Sequence, residues 1–306
     1  MLKFNNSTTY KYLFFVILTF YCIVLTQFGL ENFDTGYISS FSWRIINGQA
    51  VYQDFIYKGP PVTLYFNALI MYCLPESGQF FFVRIINYLL FATQVYLIVL
   101  AVDNIYNLSK FKVAKWGLIT VGFIVSLLNF SPFPWPTTDG LLFAAIAFWL
   151  VSKTSRPNFF RLLLIAFFCV LCALTKQSFY LVPLLYLFWI AMKFTIKTAM
   201  IFAIQLLLWV MLYISFVLSI TTFENFKQQT TGETHLYDLF YTGIHNYIFV
   251  SIKLFVSLVL LFGISVFIYL KAKKQQLTCI TPIFKWISYL LISVAFVLCV
   301  YVKIEI

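Results

Sequence analysis

Charge is scarce in this sequence. Of 306 residues only 21 are Lys or Arg and 10 are Asp or Glu, and the charged share of 10% compares with ~25% in a typical soluble domain. With 62% hydrophobic residues, 21% aromatic residues and a mean hydropathy of +0.92, no single soluble core of this length can bury the apolar surface. A soluble enzyme and a disordered chain are excluded, and lipid is left as the solvent. Histidine is scarcer still, at two residues. His235 and Asp238, at i,i+3 in a polar stretch, could share a helical face and ligate a metal, but loop histidines are more often solvated, so no metal centre is expected. The six cysteines, at 22, 73, 169, 172, 279 and 298, lie in or beside apolar segments, where Cys behaves as a small hydrophobe. The C-x-x-C of Cys169 and Cys172 has no second pair and no nearby His, so neither a redox motif nor a secreted disulfide scaffold is indicated. No basic run with interleaved aromatics is present, so the net charge of +11 does not point to nucleic acid. Internal repeats, low-complexity tracts and a soluble domain are also lacking.

Long apolar segments dominate what remains, at about 12–30, 61–74, 81–101, 116–130, 140–152, 162–175, 177–192, 198–220, 246–270 and 286–302. A helix needs ~20 residues to cross a bilayer, and several segments are shorter, so the basic residues must decide which cross. Lys3 and Lys11 flank the first segment, and Lys110, Lys112 and Lys115 follow the third. Both places are therefore expected to be cytoplasmic, which requires an even number of crossings between them. The segment 61–74, bracketed by Pro60-Pro61 and Pro75, covers about 21 Å at ~1.5 Å per residue and is the one expected to stay on the outer side as an interfacial or re-entrant helix. The first segment is expected to be retained, since its apolar run exceeds a signal peptide's and no small-x-small site precedes Glu31.

About nine spans follow, forming one all-α multi-pass domain over 1–306 in the plasma (inner) membrane, with a cytoplasmic N-terminus and outer loops at 31–80 and 221–245. This arrangement puts 14 of the 21 basic residues inside and nine of the ten acids outside. Acids carry little topogenic weight, so their concentration points to chemistry on the outer face.

Residues 31–60 are the most informative. Asp34 precedes a helical pattern with apolar positions at Tyr37, Ile38, Phe41, Ile45 and Ile46, ended by Asn47-Gly48. This pattern predicts an amphipathic surface helix. Asp34 suits its N-cap, and Arg44 and Lys58 suit ordinary outer-face charges. Further on, Pro132, Pro134 and Pro136 predict a stiff outer loop over 131–138, with Asp139 as a cap or as a functional acid. Lys176 is either a snorkelling helix-end lysine or a ligand for an anion. Lys253 is an intramembrane cation and a minor candidate.

D-x-G-Y at 34–37, W-R-I-I-N-G at 43–48, Y-Q-D-F at 52–55 and K-G-P-P at 58–61 together resemble the first outer loop of the GT-C membrane glycosyltransferases, in the branch of the protein O-mannosyltransferases and the lipid A aminoarabinose transferase. Weaker echoes follow in T-T-D-G at 137–140 and in Thr175-Lys176-Gln177. The resemblance extends over about residues 10–195. The chain has Asp34-Thr35 where many members have Asp-Glu, and Gly59 stands between Lys58 and the prolines.

The resemblance implies inverting transfer of a sugar from a polyprenyl-phosphate donor to a hydroxyl of a glycan, lipid or protein acceptor at the outer face, among membrane lipids. A phosphate leaves without a general acid, so one carboxylate base suffices. By the resemblance Asp34 is that base and Asp139 orients the acceptor or a cation beside it. Lys58, Lys176 and Gln177 are the matched substrate-binding residues, and Arg44 and Arg84 are additional phosphate ligands. The lipid-linked sugar is a substrate rather than a cofactor, and the sequence leaves a divalent metal open. The principal rival is a transporter or lipid flippase, which usually places acids within its spans; none of the ten acids falls in mid-span here. A structural membrane subunit without chemistry explains the hydropathy but not the one-sided acids.

Overall fold

The computed structural model describes residues 6–28, 36–108 and 114–231. All belong to the first of the two compact units into which the chain divides, Met1–Gly232. The last two predicted spans, the residues from 232 onward in the second outer loop, Asp34 and Lys253 lie outside the described residues, so the single-domain expectation concerns more chain than is described.

The apolar runs form helices, in chain order α1 (Asn6–Ile23), α2 (Tyr37–Ile46), α3 (Val62–Tyr72), α4 (Gln79–Tyr106), α5 (Lys115–Asn129), α6 (Pro136–Lys153), α7 (Phe159–Ala173), α8 (Val182–Lys193), α9 (Ile196–Ile220) and α10 (Phe223–Thr231). No strand occurs among the described residues. Local sequence sets several boundaries. Asn158 accepts a hydrogen bond from the Arg161 N–H at 2.8 Å and Thr195 from the Thr198 N–H at 3.2 Å, capping α7 and α9. Asn107, at φ +52°, closes α4 in the left-handed region. Gly48, at φ +83°, turns the chain after α2, where Asn47-Gly48 was expected to stop the helix.

Three helical stretches are long and apolar enough to cross a membrane: Thr8–Gln27, α4 with 28 residues and α9 with 25. The protein is therefore a helical, membrane-associated one. The helices α5 to α8 are shorter, at 15, 18, 15 and 12 residues, about 18–27 Å at ~1.5 Å per residue.

Hydrogen bonds define two ends of the bundle. At one end Lys115 pairs with Asp103 at 2.5 Å, the Asn104 amide donates to the Ser152 hydroxyl at 3.1 Å, and the Lys193 ammonium donates to the Val151 and Ser152 carbonyls at 2.6 and 3.2 Å. At the other end the Arg84 guanidinium donates to the Phe28 carbonyl. Phe28 is where the chain leaves α1, and Arg84 lies in the second turn of α4. The chain thus leaves and re-enters the bundle at the same end, and α2 and α3 between them make no net traverse. The 11 residues of α3 agree with the short helix expected over 61–74.

Three apolar clusters hold these parts together. Ile165, Cys169, Ile190 and Phe202 centre one between α6, α7, α8 and α9. Phe14, Phe91 and Phe123 centre a second between α1, α4 and α5. The third forms a roof in which Ile38 of α2, Leu64 of α3 and Val217 of α9 enclose Val51, Tyr52, Phe55 and Tyr57. The buried Ser42 hydroxyl, 2.9 Å from the Leu64 carbonyl, ties α2 to α3.

Candidate functional site

The roof is built around the irregular loop of residues 47–61, between α2 and α3. Tyr52 sits at φ +68°, unusual for a bulky side chain, and is only 1% exposed. Its N–H donates to the Phe55 carbonyl at 3.1 Å and its hydroxyl to the Gly59 carbonyl at 2.5 Å. The Asp54 carboxylate accepts from the Ala50 N–H at 2.6 Å. Thus Y-Q-D-F is a folding device that fixes the loop, and it delivers Tyr57, Lys58 and Gly59 to a pocket of about 190 Å³.

Two other segments meet the loop at that pocket. Trp135 and Pro136 open α6, and Thr175, Lys176 and Gln177 form the turn after α7. Tyr37, the first residue of α2, completes the wall together with Ile38. Gly140 makes the approach of the two segments possible. A Cβ there would come within 2.5 Å of the Thr175 Oγ1 and closer still to the Phe179 ring. T-T-D-G and T-K-Q, distant in sequence, are thereby locked edge to edge.

Lys176 is half-buried, with its Nζ 3.4 Å from the Thr137 Oγ1. Burial pushes its pKa below the ordinary 10.5. A lysine with a lowered folded pKa carries fewer protons than in the unfolded chain between the two values. Stability of the empty protein therefore rises with pH through that window, while affinity for an anion falls as the ammonium deprotonates. An anion held by Lys176, such as a phosphate, is expected to be released on the alkaline side below pH 10.5, and Lys176→Arg should move the release upward. A titration of binding in detergent checks this, and a profile unchanged by Lys176→Arg would exclude Lys176 as the ligand.

Asp139 sits behind the pocket. The expected loop over 131–138 stops short, because Pro136 takes the first helical position with Trp135 at the N-cap. Asp139 is consequently inside the first turn of α6 and does not cap it, although its charge suits the positive end of the helix dipole. It is 2% exposed, its Oδ2 has no hydrogen-bond partner among the described residues, and its neighbours are Thr63 of α3 and Tyr57. Thr63 and, one turn on, Asn67 are each 0% exposed, and among the described residues the Asn67 Oδ1 has no hydrogen-bond partner.

The sequence candidates therefore separate. Lys58, Lys176 and Gln177 line one pocket, and Asp139 stands behind its wall. Arg44 lies elsewhere, with its Nε donating to the Gln49 Oε1 at 2.5 Å and its guanidinium 4.8 Å from the Phe55 ring centroid. Arg84 is buried and committed to the Phe28 carbonyl. Asp34 lies outside the described residues, but the N-cap position of α2 belongs to Gly36 and not to Asp34, as had been expected. Tyr57 and Thr63 were not singled out from the sequence, and Tyr37 only as an apolar helix position and the end of D-x-G-Y; a polar Thr and Asn at i,i+4 in the apolar run 61–74 were the available signal for Thr63. Among the described residues no group of three or more His, Cys, Asp or Glu could hold a metal ion, and His235 and Asp238 lie outside them. No protein-family model, no curated protein and no solved structure matches this chain.

Proposed function

We propose that the protein is a multi-pass membrane glycosyltransferase of the GT-C type that moves a sugar from a polyprenyl-phosphate carrier to an acceptor hydroxyl at the outer face of the plasma membrane. The observation that carries this is convergence: K-G-P-P, the start of α6 next to T-T-D-G, T-K-Q, and the helix that follows Asp34 all border one pocket.

The depth of the pocket suits a lipid phosphate. Pro136 borders it, and α6 runs from there to Ser152 and Lys153 at the opposite, lysine-bearing end. That length, about 27 Å at ~1.5 Å per residue, is close to a ~30 Å hydrocarbon core and supports a place for the pocket near its outer boundary. A phosphate attached to a polyprenyl tail reaches this level with the tail still in lipid. The topology expected from the charges, with about nine spans and a cytoplasmic N-terminus, puts the same end outside.

The chemistry assigns one role to each group. The Asp34 carboxylate takes the proton of the acceptor hydroxyl as its oxygen attacks the anomeric carbon from the face opposite the phosphate. The bond from that carbon to the phosphate oxygen breaks, and its electron pair leaves with polyprenyl phosphate. Lys58 and Lys176 stabilise the negative charge that accumulates there, and Gln177 contacts the substrate at the rim. Asp139 supports the wall through Tyr57 and Thr63, while Arg44 and Arg84 brace the roof and the junction of α1 with α4.

Transfer of radiolabelled sugar from a polyprenyl-phosphate hexose or pentose, in membranes containing the full chain, tests this function. Lys176→Met should reduce transfer by about 10²-fold or more, the scale of losing one charged stabiliser of a developing anion. Equal transfer by the inserted variant would remove the pocket as the donor site.

A further inference from the structure

The roof loop is held by a helix that follows it by some 170 residues. Gln229 of α10 makes both of its amide hydrogen bonds to the loop backbone: its Oε1 accepts from the Tyr57 N–H at 3.0 Å, and its Nε2 donates to the Tyr52 carbonyl at 2.9 Å. The Asn225 amide, one turn earlier, reaches the Gln53 Oε1 at 3.3 Å. Phe226, between them, packs its ring 5.5 Å from that of Tyr52. Gln229 is bonded to the backbone of Tyr57, immediately before Lys58, and both of those residues line the pocket. We propose that Gln229 is a positioning residue for the donor site, a clasp by which α10 sets where Tyr57 and Lys58 meet the phosphate of a polyprenyl-phosphate substrate. This rests on the glycosyltransferase function proposed above.

The physical case lies in what each group would do without the clasp. Gly59 follows Lys58, and the next two residues are Pro60 and Pro61, which have no N–H. That side of Lys58 has few backbone donors to fix it, and on the described structure the Tyr57 N–H is bonded to α10. The opposite side hangs on Tyr52, whose left-handed backbone is unfavourable for a bulky aromatic and persists only where its surroundings over-determine it. Gln229 supplies a bond on each side of this strained turn. The Tyr57 ring is fixed separately, 5.6 Å from that of Phe41, so losing Gln229 should release the 57–59 backbone while sparing the roof cluster.

The experiment is a double-substitution cycle on the full chain in detergent, read by native mass spectrometry as the preference for C55 polyprenyl phosphate over the matching polyprenol. The polyprenol reports the fold and the contacts of the lipid tail, and only the ratio reports the phosphate contacts. Gln229→Met keeps the side-chain length and removes both hydrogen bonds. It should lower the preference about 3- to 10-fold with polyprenol binding unchanged. Lys58→Met should lower it further. The double substitution should be no worse than Lys58→Met alone, because a residue acting through Lys58 has nothing left to position. Additive losses, an unchanged ratio with Gln229→Met, or equal loss of both lipids would each overturn the inference. If Gln229→Met does not insert, Asn225→Ala enters the same cycle, removing only the exposed bond to Gln53, with a smaller loss of the same non-additive kind expected. A wild-type protein without preference for the phosphate would instead refute the proposed function itself, so the two failures are distinguishable.

Discussion

Under the proposed function, Gly140→Ala is expected to lower sugar transfer by ~10²-fold while leaving the protein inserted and helical. Alanine is otherwise favoured over glycine within a helix by ~1 kcal/mol, so any loss must come from the surroundings. The new methyl group would meet the Thr175 Oγ1 at 2.5 Å and the Phe179 ring at less. The Thr175 hydroxyl is occupied with the Cys172 carbonyl at 2.7 Å and cannot swing away without leaving a buried oxygen unpartnered. Overpacking of this kind costs ~1–3 kcal/mol, relieved chiefly by shifting the 175–179 turn. That turn carries Lys176 and Gln177, and a displacement of ~1 Å at a reacting centre can cost ~10²-fold in rate. Thermal unfolding in detergent and transfer in membranes should therefore diverge, with a small drop in Tm and a large drop in rate. Adding Phe179→Ala should restore part of the rate by making room. Transfer at the wild-type rate with Gly140→Ala alone would mean that the turn's position does not matter.

The same glycine shows how far the sequence could be read. The elements were legible because their signals are local. An apolar run predicts a helix, Asn47-Gly48 a stop, and a 14-residue apolar stretch between prolines a helix too short to cross. Lys58, Lys176 and Gln177, which line one pocket, were picked out through the resemblance of their motifs rather than by a local physical signal. Their proximity was not legible. It depends on the missing Cβ of Gly140 and on Tyr52 holding a conformation that residue type rarely adopts, neither of which has a periodicity. Gln229 carried no signal at all, since a polar residue in a polar helix is unremarkable until its two partners are found 172 and 177 positions away. Asp139, expected as a cap or a functional acid just before a helix, sits four positions beyond the N-cap at Trp135. Three prolines in 131–138 were weighed as breakers, but Pro136 occurs at the one helical position where proline is favoured, so the helix starts early and takes the carboxylate inside.

Asp34→Asn is expected to remove transfer by about 10²- to 10⁴-fold, the contribution usual for a positioned general base, with stability changed by no more than about 0.5 kcal/mol. Asparagine preserves shape and is as good a helix cap as aspartate, and the N-cap of α2 is in any case Gly36, so a loss of rate would not be a loss of helix. Asp139→Asn is the necessary companion. Asp139 is 2% exposed behind Tyr57, and an acceptor hydroxyl reaches it only if that wall opens. If Asp34 is the base, Asp139→Asn should lower the rate less and alter stability more, because it changes a buried group whose Oδ2 has no partner among the described residues. If the order is reversed, with Asp139→Asn silent in stability and null in transfer, the base is Asp139. Tyr57 would then have to move in every turnover, and the clasp that Gln229 makes on its backbone would be the hinge of that motion.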